Sequence, residues 1–495
     1  MVDERRRSGD RQSGETIVRQ LTLNPELAPF SNTRLRVESP YDGASLAEAQ
    51  TLDDQGMERA LKRAHELHLA PDQRLDKPKR LAIFEAAVRL FEANQERLAL
   101  EAALEGGKPL VDSRVEVARA IEGLRWCIQA VRAETGSVTP MGLGASSRGR
   151  SAFTKRSPIG VVLAYSAFNH PVNLIVHQVC SALAAGCPVV IKPSERTPIS
   201  CHNVVDLLHQ AGLPRDWAQI VHTQDLETAE RAVASPHVAF FSFIGSADVG
   251  WRLRGLLAPG ARCALEHGGV APVVVAKDAC LDDLIPRLAR GAFYHAGQVC
   301  VSVQRIYVHE SLIENFAKDL SECAQSYRLG APDDEATQIG PMISQAALER
   351  VHQWVHQSGG TLICGGTPVA PNSYAPTVVL NPNPSSELCT QEVFGPVVIL
   401  VPFSDLDEAI EAANALPFTF HSAVCSESIE TCLYAAERLA ATCVLVNDHT
   451  AFRVDWMPFG GHRHAGLGVG GFAHALAEQS VEKQIVIRSR WLEQS

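Results

Sequence analysis

Thirteen cysteines are spread over the 495 residues, yet no two stand three apart as C-x-x-C. That absence removes the usual zinc and thioredoxin spacings, and the odd count disfavours a disulfide framework, so a reducing cytoplasm is the compartment expected. An excess of positive charge is also missing: 45 Lys and Arg face 56 Asp and Glu, for a net charge of −11. Neither a nucleic acid nor an anionic membrane is therefore expected as a partner. No apolar run is long enough to span a bilayer. The best candidate, "IGVVLAYSAFNHPVNLIVHQVC", is interrupted by Asn169, His170, Pro171 and Asn173. The opening "MVDERRRSGDRQSGET" has no apolar stretch of the signal-peptide kind, and its acidic residues weaken a transit-peptide reading, so a disordered tail is expected over 1–24. Metal-ligand spacings are scarce too. His352 and His356 in "VHQWVH" stand at i, i+4, but no Glu follows the first and no third ligand accompanies them, so no metal is expected. There is no internal repeat and no low-complexity segment.

What is present describes a globular protein: 46% hydrophobic and 20% charged residues, in a chain too long for one core. "DDQGMERALKRAHELHLA" and "DKPKRLAIFEAAVRLFEANQERLALEAALEGGKP" carry apolar residues at helical spacing and end at Gly or Pro. From about residue 158 short Val- and Ile-rich runs ("IGVVLAYS", "PVVIKPS", "AQIVHT", "VAFFSFIG") alternate with helical segments, which predicts parallel βαβ units. Ligands in such sheets sit beyond the carboxyl ends of the strands. A second alternating stretch begins near "APVVVAKDA" and predicts a second α/β domain. "SAFTKRSP" and "KQIVIRSRW" read as strands with no helices between them, of the exposed kind that pairs with another subunit. The Gly-rich "GLGVGG" at 466–471 follows no predicted strand and opens no βαβ unit, so a flexible loop is expected there rather than a dinucleotide fingerprint.

Two local patterns point to chemistry. Gly245 and Ser246 follow the strand "VAFFSF" and open a helix, where backbone N–H groups and the helix dipole would face a pyrophosphate. Cys300 lies in "FYHAGQVCVS", where Gly297 and Gln298 predict a loop, whereas most of the other cysteines fall in apolar helical or strand patterns. Only the thiolate of a cysteine is a strong nucleophile, so a loop cysteine near other polar groups is the candidate for covalent catalysis.

Six segments in order resemble the aldehyde dehydrogenase superfamily over roughly residues 25 to 490: "SAFNHP", "VVIKPSERTP", "FIGSADVG", "LEHGGVAP", "HAGQVC" and "EVFGPV". The resemblance implies an α/β fold of two Rossmann-like parallel-sheet domains plus a β-strand extension for oligomerisation. The NAD-binding domain would span 25–137 and 158–265, the catalytic domain 266–455, and the bridging segments 138–157 and 456–495. It implies that Cys300 attacks an aldehyde to give a hemithioacetal and then a thioester, with Asn169 and the Cys300 backbone N–H at the oxyanion and Glu266 activating the hydrolytic water. The lesser alternatives are a turn residue before His170-Pro171 for Asn169 and an ordinary helix- or strand-end carboxylate for Glu266. The resemblance places Lys192, Ser194, Glu195, Gly245, Ser246, Gly268, Glu392 and Phe394 around a nicotinamide cofactor. Glu195 favours NAD, while Lys192 leaves NADP possible.

"SAFNHP" and "NDHTAFRVDWMPFGG" are similar to a branch that includes phosphonoacetaldehyde and related small-aldehyde dehydrogenases. In that branch Arg119, His170 and Arg453 would contact an anionic substrate tail. Arg119 reads otherwise as a solvated helix face, and Arg453 beside Asp455 as a salt-bridged loop residue. The departures from the family pattern are Val299 where an Arg can stand, His295 for a usual Asn, His267 for an apolar residue, and His462, Arg463 and His464 in "GGHRHAG". The expected activity is oxidation of a short aldehyde with a phosphonate, sulfonate or carboxylate tail, by a homodimer or homotetramer. The alternatives are a neutral aliphatic or aromatic aldehyde, a CoA-acylating semialdehyde dehydrogenase, and a non-catalytic scaffold.

Overall fold

The computed structural model describes residues 18–492. Two sheets organise it, and their strand orders explain where a ligand goes. The first has six strands in the order Gly466–Leu467, Arg262–Glu266, Val238–Ile244, Val161–Tyr165, Val189–Lys192, Ala218–Ile220. All pair in parallel except the two-residue strand at 466–467. The chain runs outward from Val161–Tyr165 in one direction, then returns to its other side with Val238–Ile244. The order reverses between those two strands, which is where an open parallel sheet leaves a crevice. Strands buried on both faces need continuous apolar runs, and Val161–Tyr165 is buried at all five positions.

The second sheet has seven strands, in the order Thr361–Cys364, Thr377–Leu380, Val397–Phe403, Arg305–His309, Pro272–Val275, His421–Cys425, Cys443–Val446. Only Thr361–Cys364 runs antiparallel to its neighbour. The fold is thus α/β with two parallel-sheet units. The first sheet contributes carboxyl ends to the space between them: Glu266 closes the strand Arg262–Glu266. The second contributes amino ends, since Cys300 and Glu392 precede the strands that begin at Arg305 and Val397. The rule that ligands bind at carboxyl ends therefore describes only half of this site.

Several expectations are corrected. The tail expected over 1–24 lies outside the described residues up to 17, but Arg19–Leu21 is a strand paired in parallel with Ser45–Gln50. Leu21 packs there against Leu35, Val37, Ala47 and Ala49, and Arg19 pairs with Glu101, which fixes a segment too short to show periodicity. "GLGVGG" is not simply a loop, because Gly466 and Leu467 pair with Glu266 and Leu265 at the sheet edge. The long helical pattern from Lys77 divides at Asn94 into Lys77–Ala93 and Gln95–Gly106. The strands expected in "SAFTKRSP" and "KQIVIRSRW" are present as Arg150–Pro158 and Ser480–Arg488, which pair with each other in antiparallel register, with residues 489–491 lying beyond the second. Among the described residues no helix is long and apolar enough to cross a membrane.

Candidate active site

All fourteen candidate site residues line one cavity of about 1090 Å³ between the two sheets. Their placement follows from the local folding of each segment.

The nucleophile loop leaves the helix Leu281–Phe293 through a tight turn in which His295, Ala296 and Gly297 all have positive φ, at 50°, 52° and 67°. A side chain at Gly297 would run into the Gly395 carbonyl, so that position requires glycine. His295 stands where Asn is usual; both belong to the few non-glycine types that enter this region readily. Gln298 is fully buried and ties the loop down. Its Oε1 accepts from Ile343 N at 2.9 Å, and its Nε2 donates to the His295 carbonyl at 3.2 Å. Its carbonyl accepts from Asn169 Nδ2 at 3.0 Å. That bond uses one of the two Asn169 amide hydrogens and leaves the other for a ligand. The Cys300 backbone N–H donates to no other backbone carbonyl among the described residues. These are two donors beside one thiol.

Asn169 owes its position to a residue the sequence did not single out. Glu116, buried in the helix Leu110–Ala133, accepts from the backbone N–H groups of Val172 and Asn173 at 2.8 and 3.0 Å. Its other oxygen binds Lys108, equally buried. No spacing rule links residues 56 positions apart, so only the folded chain discloses the contact.

Burial sets the electrostatics. It pushes the Cys300 thiol up to about 12, with the Glu392 carboxylate adding to the rise and Arg453 opposing it. The thiol is therefore protonated at neutral pH and needs a route for its proton. Burial also raises Glu266, against the pull of Arg453. A carboxyl raised in this way holds a proton nearer neutral pH than usual, which suits a general base. Glycine makes room for it: a Cβ at Gly470 would lie 2.7 Å from Glu266 Oε1. The Gly-rich segment thus serves the carboxylate rather than a phosphate.

The cofactor candidates surround the other end. Ser246 caps the helix Ala247–Arg254 without a side-chain hydrogen bond, so the first-turn amides face the cavity unclaimed by that hydroxyl. His267 Nδ1 lies 2.9 Å from the Gly245 carbonyl, fixing the turn that leads into the helix. Lys192 Nζ is 3.4 Å from Glu195 Oε1, and both line the cavity. Glu392 is raised to about 8 by burial, and its Oε1 has no hydrogen-bond partner. A side chain at Gly268 would overlap the Glu392 carboxylate. A buried carboxyl with an oxygen that lacks a partner fits the hydroxyls of a ribose, so these residues fit a dinucleotide.

At the substrate end, His170 Nε2 is 3.0 Å from Tyr294 Oη, and burial lowers that imidazole well below its usual range. Arg119 is no solvated helix face: it makes two bonds to Asp455, at 2.8 and 2.9 Å. Arg453 lies over the Phe459 ring, 3.5 Å from its centroid. Val299 and Val301 join Phe420 and Phe459 in an apolar wall beside Cys300. His464 also lines the cavity, while His462 and Arg463 form a short strand against Phe418–Thr419. His352 and His356 are otherwise engaged, with Tyr374 Oη at 3.3 Å and the Gly366 carbonyl at 2.9 Å.

Comparison with known proteins gives the family and the fold. Residues 28–485 match the model of the aldehyde dehydrogenase family. A 3-sulfolactaldehyde dehydrogenase of Priestia aryabhattai is 36% identical over 411 residues, covering 82% of this chain and 86% of that protein. Aldehyde dehydrogenase 21 of Physcomitrella patens, solved with the reaction product succinate, superposes with a TM-score of 0.90 at 30% identity, covering 95% of this chain and 98% of that one. Glyceraldehyde-3-phosphate dehydrogenase of Methanocaldococcus jannaschii, complexed with NADP, superposes with a TM-score of 0.87 at 32% identity, covering 93% of this chain and all of that one (100%).

Proposed function

The chain belongs to the aldehyde dehydrogenase family, and on that premise we propose that it oxidises a short aldehyde with an anionic tail to the carboxylic acid. The observation that carries the reading is one cavity lined by Cys300, Glu266 and Asn169 together with Arg119, His170 and Arg453. The Cys300 thiol releases its proton to solvent through the open cavity and its sulfur adds to the aldehyde carbon, giving a tetrahedral oxyanion that the free Asn169 N–H and the Cys300 backbone N–H stabilise. Each such donor contributes about 2.7–4 kcal/mol to the transition state. The nicotinamide, when bound, supplies the hydride acceptor. Glu266 then takes a proton from the water that hydrolyses the Cys300 thioester. A buried base of this kind supports hydrolysis over transfer to CoA, a distinction read directly by following acid release with and without CoA.

The cofactor is a nicotinamide dinucleotide, with NAD preferred and NADP tolerated. Glu195 supports that order, since a carboxylate at the ribose accepts from its hydroxyls and repels a 2′-phosphate. Glu195→Gln should narrow the gap in catalytic efficiency between NAD and NADP.

The reading is tested by NADH formation from an anion-tailed aldehyde and from a neutral aldehyde of equal length, in the native enzyme and in Arg453→Ala. The anionic substrate should be preferred about ten- to a hundredfold, as one charge-assisted bond of about 1.5–3 kcal/mol implies. Arg453→Ala should remove most of that preference. A better neutral substrate, with both substrates equally affected by the substitution, would set the reading aside.

A further inference from the structure

The charge at the tail end of the cavity follows from its hydrogen bonds. Arg119 and Arg453 line the cavity, while Asp455 is 3% exposed and does not line it. Both oxygens of Asp455 are taken by Arg119. The same carboxylate contacts His177 at 2.8 Å and Asn173 at 3.3 Å. His177 sits in a π-helical turn, Val176–Cys180, a distortion that frequently marks a functional position. Arg453 comes no closer to Asp455 than 3.7 Å, and its Nε has no hydrogen-bond partner.

The other titratable groups facing this end add no positive charge. Burial holds His177 and His421 down to about 4, and His170 and His295 well below their usual range, so these imidazoles are neutral. Burial keeps the Tyr294 hydroxyl and the Cys300 thiol protonated. Glu266 is neutral or negative. Behind them, Lys108 pairs with Glu116 and Arg290 with Asp112. The cluster therefore offers at most one positive charge in excess.

We propose that Asp455 fixes the charge of the substrate's tail: by occupying Arg119 it leaves Arg453 as the single cation in excess, and the site selects a monoanionic sulfonate or carboxylate over a dianionic phosphonate. The proposal rests on the anion-tail reading of the cavity and sharpens it. A second negative charge would be buried without a counter-charge, which is costly unless a proton accompanies it. Val299 gives it no cation either.

The test compares sulfoacetaldehyde, phosphonoacetaldehyde and a neutral aldehyde of equal length, by kcat/KM in the presence of NAD. Sulfonate and phosphonate have nearly the same shape, so their ratio isolates charge, and protein titrations cancel in it. At about pH 8 the sulfonate should lead the phosphonate by roughly tenfold or more. The gap should close towards about pH 6, where the phosphonate dianion takes up one proton and becomes a monoanion. Asp455→Asn should narrow or invert the ratio at the higher pH. Arg119→Gln leaves Asp455 to Arg453 and should bring the sulfonate and the neutral aldehyde together. A phosphonate preferred at the higher pH overturns the proposal, as does a ratio that ignores Asp455→Asn in a variant that still binds NAD. If Asp455→Asn does not fold, the pH dependence of the native ratio decides alone. A neutral aldehyde equal to the sulfonate in the native enzyme would instead remove the anion-tail reading, and the proposal with it.

Discussion

Glu266 is where burial and reaction meet most plainly at the scale of one residue. Its carboxyl is raised by desolvation, so the basic form is populated only at a pH above that of an ordinary glutamate, near 4.3. Hydrolysis-limited turnover should accordingly rise with pH across that raised titration and fall as acid protonates the base. Glu266→Gln should slow steady turnover by about a hundredfold or more and flatten the rise, while a burst of NADH survives. An unchanged pH profile in that variant would move the base elsewhere. Cys300 was legible as a loop cysteine after Gly297, whereas Asn169 and Glu266 were legible only through the resemblance of "SAFNHP" and "LEHGGVAP" to family segments, since alone each reads as a turn or strand-end residue. For Asp455 the sequence suggested the neighbour Arg453, whereas the bonded partner is Arg119, 336 positions away, and only the folded chain shows that exchange.

At the scale of the element, the turn that follows Asn169, the proposed oxyanion donor, ends in two amides, of Val172 and Asn173, that are held by Glu116. Glu116→Gln keeps the shape but weakens both amide bonds and leaves Lys108 buried without its counter-charge. Loss of one partner of a buried pair costs about 3–5 kcal/mol, so the melting temperature should fall. If Glu116 positions Asn169, kcat should also drop while KM for NAD stays near the native value. A fall in stability with kcat intact would make the pair purely structural. Strong periodicity made the helices and buried strands legible, whereas elements of two or three residues were not. Arg19–Leu21 and Gly466–Leu467 exist because a neighbouring strand offers them a ladder, and no pattern within them announces it.

At the scale of the molecule, the strand Ser480–Arg488 forms the outer edge of a three-stranded sheet and carries exposed Val486 and Ile487, at 50% and 48%. Among the described residues no further strand pairs with that edge; an apolar edge invites one, and we propose that Val486 and Ile487 join subunits in a homodimer or homotetramer. Ile487→Glu should shift the mass in light scattering towards the monomer; an unaltered mass would place the interface elsewhere. The whole account depends on one covalent event that links both sheets. Native protein is mixed with NAD and an excess of sulfoacetaldehyde, quenched in acid within a turnover, and digested for mass spectrometry, with Glu266→Gln in parallel. The expected result is an acyl adduct on the peptide bearing Cys300, more abundant in Glu266→Gln and absent from Cys300→Ala, which still binds NAD. An adduct on another cysteine, or NADH formed by Cys300→Ala at a rate near that of the native enzyme, would contradict the account.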